Sequence, residues 1–135
     1  MHRFFQEHDI GRDLDVGCGD GRHSVFFAKQ GYEMYGLDIA PTGLEHAQAC
    51  LKKEGLSAET VASDMTSLPW PDGFFDAIIS VQALNHNRIR EIRKTIRGIW
   101  RVLRFNGYLF ILLEKEIPVH QDSGGKTCFL VLKVL

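Results

Sequence analysis

Leu14-Asp-Val-Gly-Cys-Gly-Asp-Gly21 decides how the rest of this sequence is read. A short apolar run, Leu14 to Val16, closes on alternating glycines, which is the pattern of a buried strand entering a tight turn. A helix should follow, because Arg22 to Gln30 holds no breaker, carries Val25, Phe26, Phe27 and Ala28, and stops at Gly31. Downstream, Glu33 to Asp38 reads as a second strand and Pro41 as the first turn of a second helix. Ala40, Leu44, Ala47 and Leu51 recur there at helical spacing until Gly55.

Glu59 to Ala62 reads as a third strand and Phe75 to Val81 as a fourth, both expected to be buried. From Arg88 to Arg104, Ile89, Ile92, Ile96, Ile99, Trp100 and Leu103 fall on one helical face, and Gly107 to Leu113 supplies a fifth strand. Strands alternating with helices predict an α/β fold with a doubly wound, mainly parallel sheet covered on both sides. Ligands of such sheets bind outside the carboxyl ends of the strands.

Three carboxylates stand where successive strands should end: Asp15, Asp38 and Asp64. The glycine spacing of the first turn departs from the dinucleotide G-x-G-x-x-G fingerprint, and Asp20 adds a further acid. Two nearby carboxylates would repel a pyrophosphate, whereas a cationic cofactor carrying a ribose would be attracted and hydrogen-bonded. A sulfonium cofactor therefore fits better than NAD.

In these segments the sequence resembles the class I S-adenosylmethionine-dependent methyltransferases, especially the small-molecule branch called methyltransferase type 11. The glycine stretch Leu14 to Gly21 is similar to the family's first motif, and Tyr35-Gly-Leu-Asp-Ile39 to its second-strand acidic motif. Asp64 to Ile78 resembles the segment joining the third and fourth strands, and Arg101 to Phe110 the entry into the fifth. The likeness covers residues 10 to 114. It implies that Gly17 and Gly19 let the backbone approach the methionine part of S-adenosyl-L-methionine, with Asp15 and Cys18 lining the same turn. It further implies that Asp38 accepts hydrogen bonds from the ribose hydroxyls, Ile39 packs on the adenine, and Asp64 with Met65 holds the adenine amino group. Val81 and Gln82 would flank the sulfonium and the acceptor.

Departures from the family stand beside the likeness. Asp13 occupies a position where the first strand is usually apolar, and a charge inside a covered sheet costs several kcal/mol unless paired. Arg12 or the N-terminal segment is the expected cover. Phe105-Asn106 replaces Pro-Gly before Gly107, where Asn-Gly still makes a tight turn. The family fold continues past strand five with a helix and two strands. Only about twenty residues follow here, so the expected fold is incomplete at its C-terminus.

The chain has 135 residues, with 16 Lys plus Arg against 17 Asp plus Glu and 44% hydrophobic residues. That suits one globular unit rather than two and argues against a dedicated nucleic-acid binder. Residues 1–114 are read as a cofactor-binding domain and 115–135 as an appendage. No apolar run approaches the roughly 20 residues that cross a bilayer. Cys18, Cys50 and Cys128 lack paired close spacing, so a reducing cytoplasm is the expected setting.

Gly124-Gly-Lys-Thr127 lacks the first glycine of a phosphate loop and precedes a β-like stretch, so a flexible turn is the better reading. Arg90, Arg93, Lys94, Arg97, Arg101 and Arg104 form a basic stripe, read first as a solvated face. Six histidines show no metal-ligand spacing, and no metal is expected. His86, five residues past strand four, is the candidate catalytic base near the acceptor.

The leading functional reading is methyl transfer to a small-molecule nucleophile. The alternative is a noncatalytic cofactor-binding or oligomerising module without the substrate-shaping C-terminal part. Phe129 to Leu135 is expected to form a strand, either antiparallel beside Gly107 to Leu113 or exchanged within a homodimer, because an apolar stretch on an open edge invites aggregation.

Overall fold

Four successive residues of Arg12–Val16 are buried because this strand has neighbours on both edges and layers on both faces. The computed structural model describes residues 6–8, 10–81, 88–115 and 126–133. In chain order its elements are β1 (Arg12–Val16), α1 (Arg22–Lys29), β2 (Glu33–Asp38), α2 (Pro41–Lys53), β3 (Glu59–Ala62), β4 (Phe75–Val81), α3 (Ile89–Val102), β5 (Leu103–Lys115) and β6 (Lys126–Lys133). They make a six-stranded sheet in the order β3-β2-β1-β4-β5-β6. The first five strands run parallel and β6 runs antiparallel to β5.

Alternation along the strands divides the core in two. Leu14, Val16, Leu37, Ile78, Leu109 and Ile111 join Ile99 and Val102 of α3. Met34, Ala77, Ile79 and Phe110 join Phe27 and Ala28 of α1 and Leu51 of α2. The loop between β3 and β4 is anchored by Trp70, whose ring meets Phe75 edge-on at 5.1 Å, while Tyr35 meets Phe75 at 5.2 Å.

Several expectations change at the edges. β3 is an outer strand with Glu59 and Ala62 exposed, not a buried one, because nothing pairs beyond it among the described residues. α3 ends at Val102 and β5 begins at Leu103, earlier than Gly107. Phe105-Asn106-Gly107 makes a bulge inside β5 rather than a turn before it. Phe75 pairs with Leu103 and Ala77 with Tyr108, so β5 uses five residues where β4 uses two. Asn106 takes φ 62° in that bulge. A Cβ on Gly107 would sit 2.8 Å from the Arg104 carbonyl oxygen.

The expected isoleucine stripe of α3 is only partly buried. Thr95, Ile99 and Val102 face the sheet, whereas Ile89, Ile96 and Trp100 stay exposed. Arg101 fixes that rotation by donating to the carbonyl oxygens of Trp70 and Leu68, both at 2.8 Å, and by pairing with Asp72. Arg104 pairs with Asp76. These two arginines therefore leave the basic stripe of the sequence reading and act as struts.

β6 folds back on β5, Phe110 opposite Val131 and Leu113 opposite Cys128, the antiparallel arrangement that is one of the two expected. It starts at Lys126, ahead of Phe129, and the last two residues lie outside the described ones.

Asp13 is wholly buried, and neither carboxyl oxygen has a hydrogen-bond partner. Arg12 does not cover it: the guanidinium lies over the Phe74 ring and pairs with Glu33. Burial, reinforced by the charges of Asp15 and Asp76, pushes the Asp13 carboxyl well above its ordinary value. A carboxyl raised in the folded state contributes full stability only below its unfolded value near 3.8 and loses it as pH climbs toward the folded one. Asp13→Val should therefore stabilise the fold by about 1–3 kcal/mol at pH 7.5 and by less at pH 4, read by urea unfolding. A destabilised variant at both pH values would show that the carboxyl has a supporting role.

Candidate functional site

The parallel strands bring the ends of β1, β2, β3 and β4 to one edge, and the turn after β1 is latched there by β2. Gly17 and Cys18 both donate their N–H to the carbonyl oxygen of Leu37, at 2.7 and 3.0 Å. Gly19 donates to Asp38 Oδ2 at 2.9 Å, and Ala40 donates to Asp38 Oδ1 at 2.9 Å. Gly21 closes the turn with an N–H to the Cys18 carbonyl. Gly17, Gly19 and Gly21 all take positive φ, at 74°, 55° and 81°.

Close approach also dictates a glycine on α2. A Cβ on Gly43 would lie 2.9 Å from the Gly19 carbonyl oxygen. This contact presses the start of α2 against the glycine turn, and Gly43 was not singled out in the sequence because its reason is tertiary. Ser24 was missed too. Its hydroxyl, on α1, donates to Asp15 Oδ2 at 3.4 Å. A serine beside Val25, Phe26 and Phe27 was the available signal.

Asp15 is buried rather than open to the crevice, on the α1 face of β1. Burial raises its carboxyl to about 7, the Ser24 bond opposes the rise, and the charge of Asp38 adds to it. Cys18 is pushed up to about 12 by burial and by Asp15 and Asp38, so its thiol stays protonated and packs as an apolar group.

Asp38 is half-buried and Ile39 is 70% exposed beside it. Each Asp38 oxygen accepts one backbone N–H, and a carboxylate has about four acceptor positions, so capacity for two hydroxyl donors remains. Asp64 lies in the next loop, exposed. Its Oδ1 accepts from the Thr66 N–H and hydroxyl, both at 2.9 Å. Those bonds hold its carboxyl below the usual range, assisted by the charge of Lys94 on α3. Met65 is half-buried next to it.

The structure thus brings Asp15, Gly17, Cys18, Gly19, Asp38, Ile39, Asp64 and Met65 to one edge of the sheet, and Val81 ends β4 opposite Leu112 on the same edge. Gln82 and His86 lie outside the described residues. The turn's N–H groups of Gly17, Cys18, Gly19 and Gly21 are already bonded within the chain, so they offer no cradle to a pyrophosphate. Positive-φ glycines, close backbone and acidic side chains fit a cationic, ribose-bearing cofactor. Among the described residues no group of three or more His, Cys, Asp or Glu is placed to hold a metal ion.

A family model described as a methyltransferase domain matches residues 14–111. Ajmaline N-methyltransferase from Rauvolfia serpentina is 33% identical over 113 residues, which are 81% of this chain and 36% of that protein. The solved structure of a SAM-dependent methyltransferase from Methanosarcina mazei shares 25% identity with a TM-score of 0.79, covering 86% of this chain and 59% of that one. The cyclase SpnF shares 28% identity with a TM-score of 0.77, covering 90% of this chain and 46% of that one. The chain therefore spans about a third of that N-methyltransferase and less than two thirds of either solved chain.

The Asp15 environment is open to direct measurement. Carboxyl-carbon NMR should show Asp15 titrating near pH 7, and in Ser24→Ala the midpoint should move higher because the opposing hydrogen bond is lost. Titration near pH 4 in the wild type would mean that water reaches this carboxyl.

Proposed function

The chain belongs to the methyltransferase-domain family, and from that membership we propose that it binds S-adenosyl-L-methionine at the acidic strand edge and transfers a methyl group to a small-molecule nucleophile. The observation that carries this reading is the glycine turn bonded to Asp38, with Asp64 at the neighbouring strand end. When bound, the cofactor supplies an electrophilic methyl group on a sulfonium, whose positive charge is lost as an acceptor attacks in line.

The residues of the chain bind and align. Asp38, already oriented by Gly19 and Ala40, would accept from the two ribose hydroxyls. Ile39 offers an exposed apolar surface to the adenine, and Asp64 an acceptor to its amino group. Gly19, beside which a Cβ would meet nothing within 4 Å, leaves open space over the turn for the methionine part, while Gly43 lets α2 pack against that turn. Alignment and exclusion of water would supply most of the rate, since the nucleophile and the methyl need little beyond near-attack geometry. His86 is proposed as the base for an oxygen acceptor. The name of the ajmaline N-methyltransferase supports a small-molecule acceptor, and nitrogen as one option.

A protein named as a cyclase on the same scaffold supports the view that the fold is not tied to methyl transfer, and so a second reading, a noncatalytic cofactor-binding or oligomerising module. Turnover separates the two. We also propose self-association through the outer edge of β6, which sedimentation of the full chain reads directly. A reducing cytoplasm suits the free thiols of Cys18 and Cys50.

Calorimetry should show S-adenosyl-L-methionine binding and no NAD binding, with Asp38→Ala weakening the former by about 1–3 kcal/mol. Preference for NAD, or an unchanged dissociation constant in a folded Asp38→Ala variant, would contradict the reading.

A further inference from the structure

Arg90, Arg93, Lys94 and Arg97 recur at helical spacing over the first three turns of α3, and all four are exposed. Arg90 with Lys94 and Arg93 with Arg97 are like-charged neighbours one turn apart, which weakens a helix. Arg90 lies in the first turn, where the helix dipole is also positive. The N-cap, Arg88, supplies no side-chain bond to the free N–H groups. Glu91 is the acid of the first turn, but it is half-buried and its Oε2 is shielded without a partner. Among the described residues none of the four cations forms an ion pair, in contrast to Arg101 and Arg104 at the other end of the helix. An anion lying across these side chains would relieve that repulsion.

The surroundings give that anion a shape and a place. Arg90, Arg93, Lys94 and Arg97 line an open recess of about 620 Å³ together with Ile89, which is 71% exposed. Ile96 continues the apolar edge at 41% exposure. Because β4 and β5 run parallel, α3 between them runs back from the carboxyl end of β4, so its first turns lie at the same edge as the cofactor residues. The two regions have opposite sign, acidic strand ends on one side and a basic helix on the other. We propose that this recess receives the methyl acceptor, and that the acceptor is a small organic acid whose carboxylate or phosphate lies on Arg90, Arg93 and Arg97 with its apolar body along Ile89. This rests on the methyl-transfer reading above. A nucleic-acid track is disfavoured because four cations within about 10 Å of helix axis are few phosphate contacts, and the chain's net charge is −1.

The test uses the full chain and two probes measured separately by calorimetry at low salt: inorganic pyrophosphate for the recess and S-adenosylhomocysteine for the cofactor edge. Wild type should bind both. Arg93→Glu with Arg97→Glu should weaken pyrophosphate at least tenfold and leave S-adenosylhomocysteine within about threefold, with circular dichroism unchanged, and Arg93→Lys with Arg97→Lys should restore most of the loss. Equal pyrophosphate binding in wild type and the Glu variant, or none at millimolar concentration, would overturn the site. Loss of S-adenosylhomocysteine binding in wild type, with pyrophosphate retained, would overturn the acceptor role and the methyl-transfer reading but not the anion site. For the acceptor class, paired aromatic acids and their amides are compared by S-adenosylhomocysteine release. The acid should have a KM at least tenfold lower, with similar kcat, and the Glu variant should erase that difference. An RNA oligonucleotide bound far more tightly than pyrophosphate, or equal KM values for acid and amide, would overturn the small-acid assignment.

Discussion

Everything at the functional edge depends on the end of β2 holding the turn after β1. The Leu37 carbonyl takes the N–H groups of Gly17 and Cys18 and the Asp38 carboxylate that of Gly19, so two positive-φ glycines are fixed by one dipeptide of the neighbouring strand and Gly21 by the Cys18 carbonyl. This latch has a chemical consequence. It occupies the turn's own N–H groups and sets the Asp38 carboxylate at the crevice. One set of hydrogen bonds therefore both shapes the turn and selects the sign of the ligand.

The central strand carries a burden of buried acid. Asp13 and Asp15 project into the α1 side of β1, one without a partner and one with a single serine hydroxyl. Their raised protonation counters part of that cost, and Asp76 nearby is held by the N–H groups of Gly11 and Arg12 and by Arg104. Acid is concentrated around β1 and base along α3. That separation, rather than net charge, is the electrostatic feature of the molecule.

Most of the fold was legible because its signals are local: apolar runs ended by Gly17, Gly31 and Gly55, and strands alternating with helices. Asp38 and Asp64 were legible for the same reason, as acids at the ends of apolar runs. What escaped the sequence is tertiary. The rotation of α3 depends on Arg101 reaching the carbonyls of Leu68 and Trp70, some thirty residues away. Helical spacing alone put Ile89, Ile96 and Trp100 inside. The bulge at Asn106 needs the register against β4, and the requirement for glycine at position 43 needs the carbonyl of Gly19. Placement of Asp15 in the crevice was an inference from strand ends. The pleat turns its side chain under α1 instead.

The central claim is that the glycine turn, the end of β2 and the Asp64 loop form a single cofactor crevice. Backbone amide NMR of the full chain titrated with S-adenosylhomocysteine tests it most directly. The account predicts that the largest shifts cluster at Gly17 to Asp20, Ile39, Ala40, Asp64 and Met65, with the outer face of α2 and strand β6 unmoved. Absence of shifts at saturating ligand, or shifts confined to elements away from that edge, would contradict it.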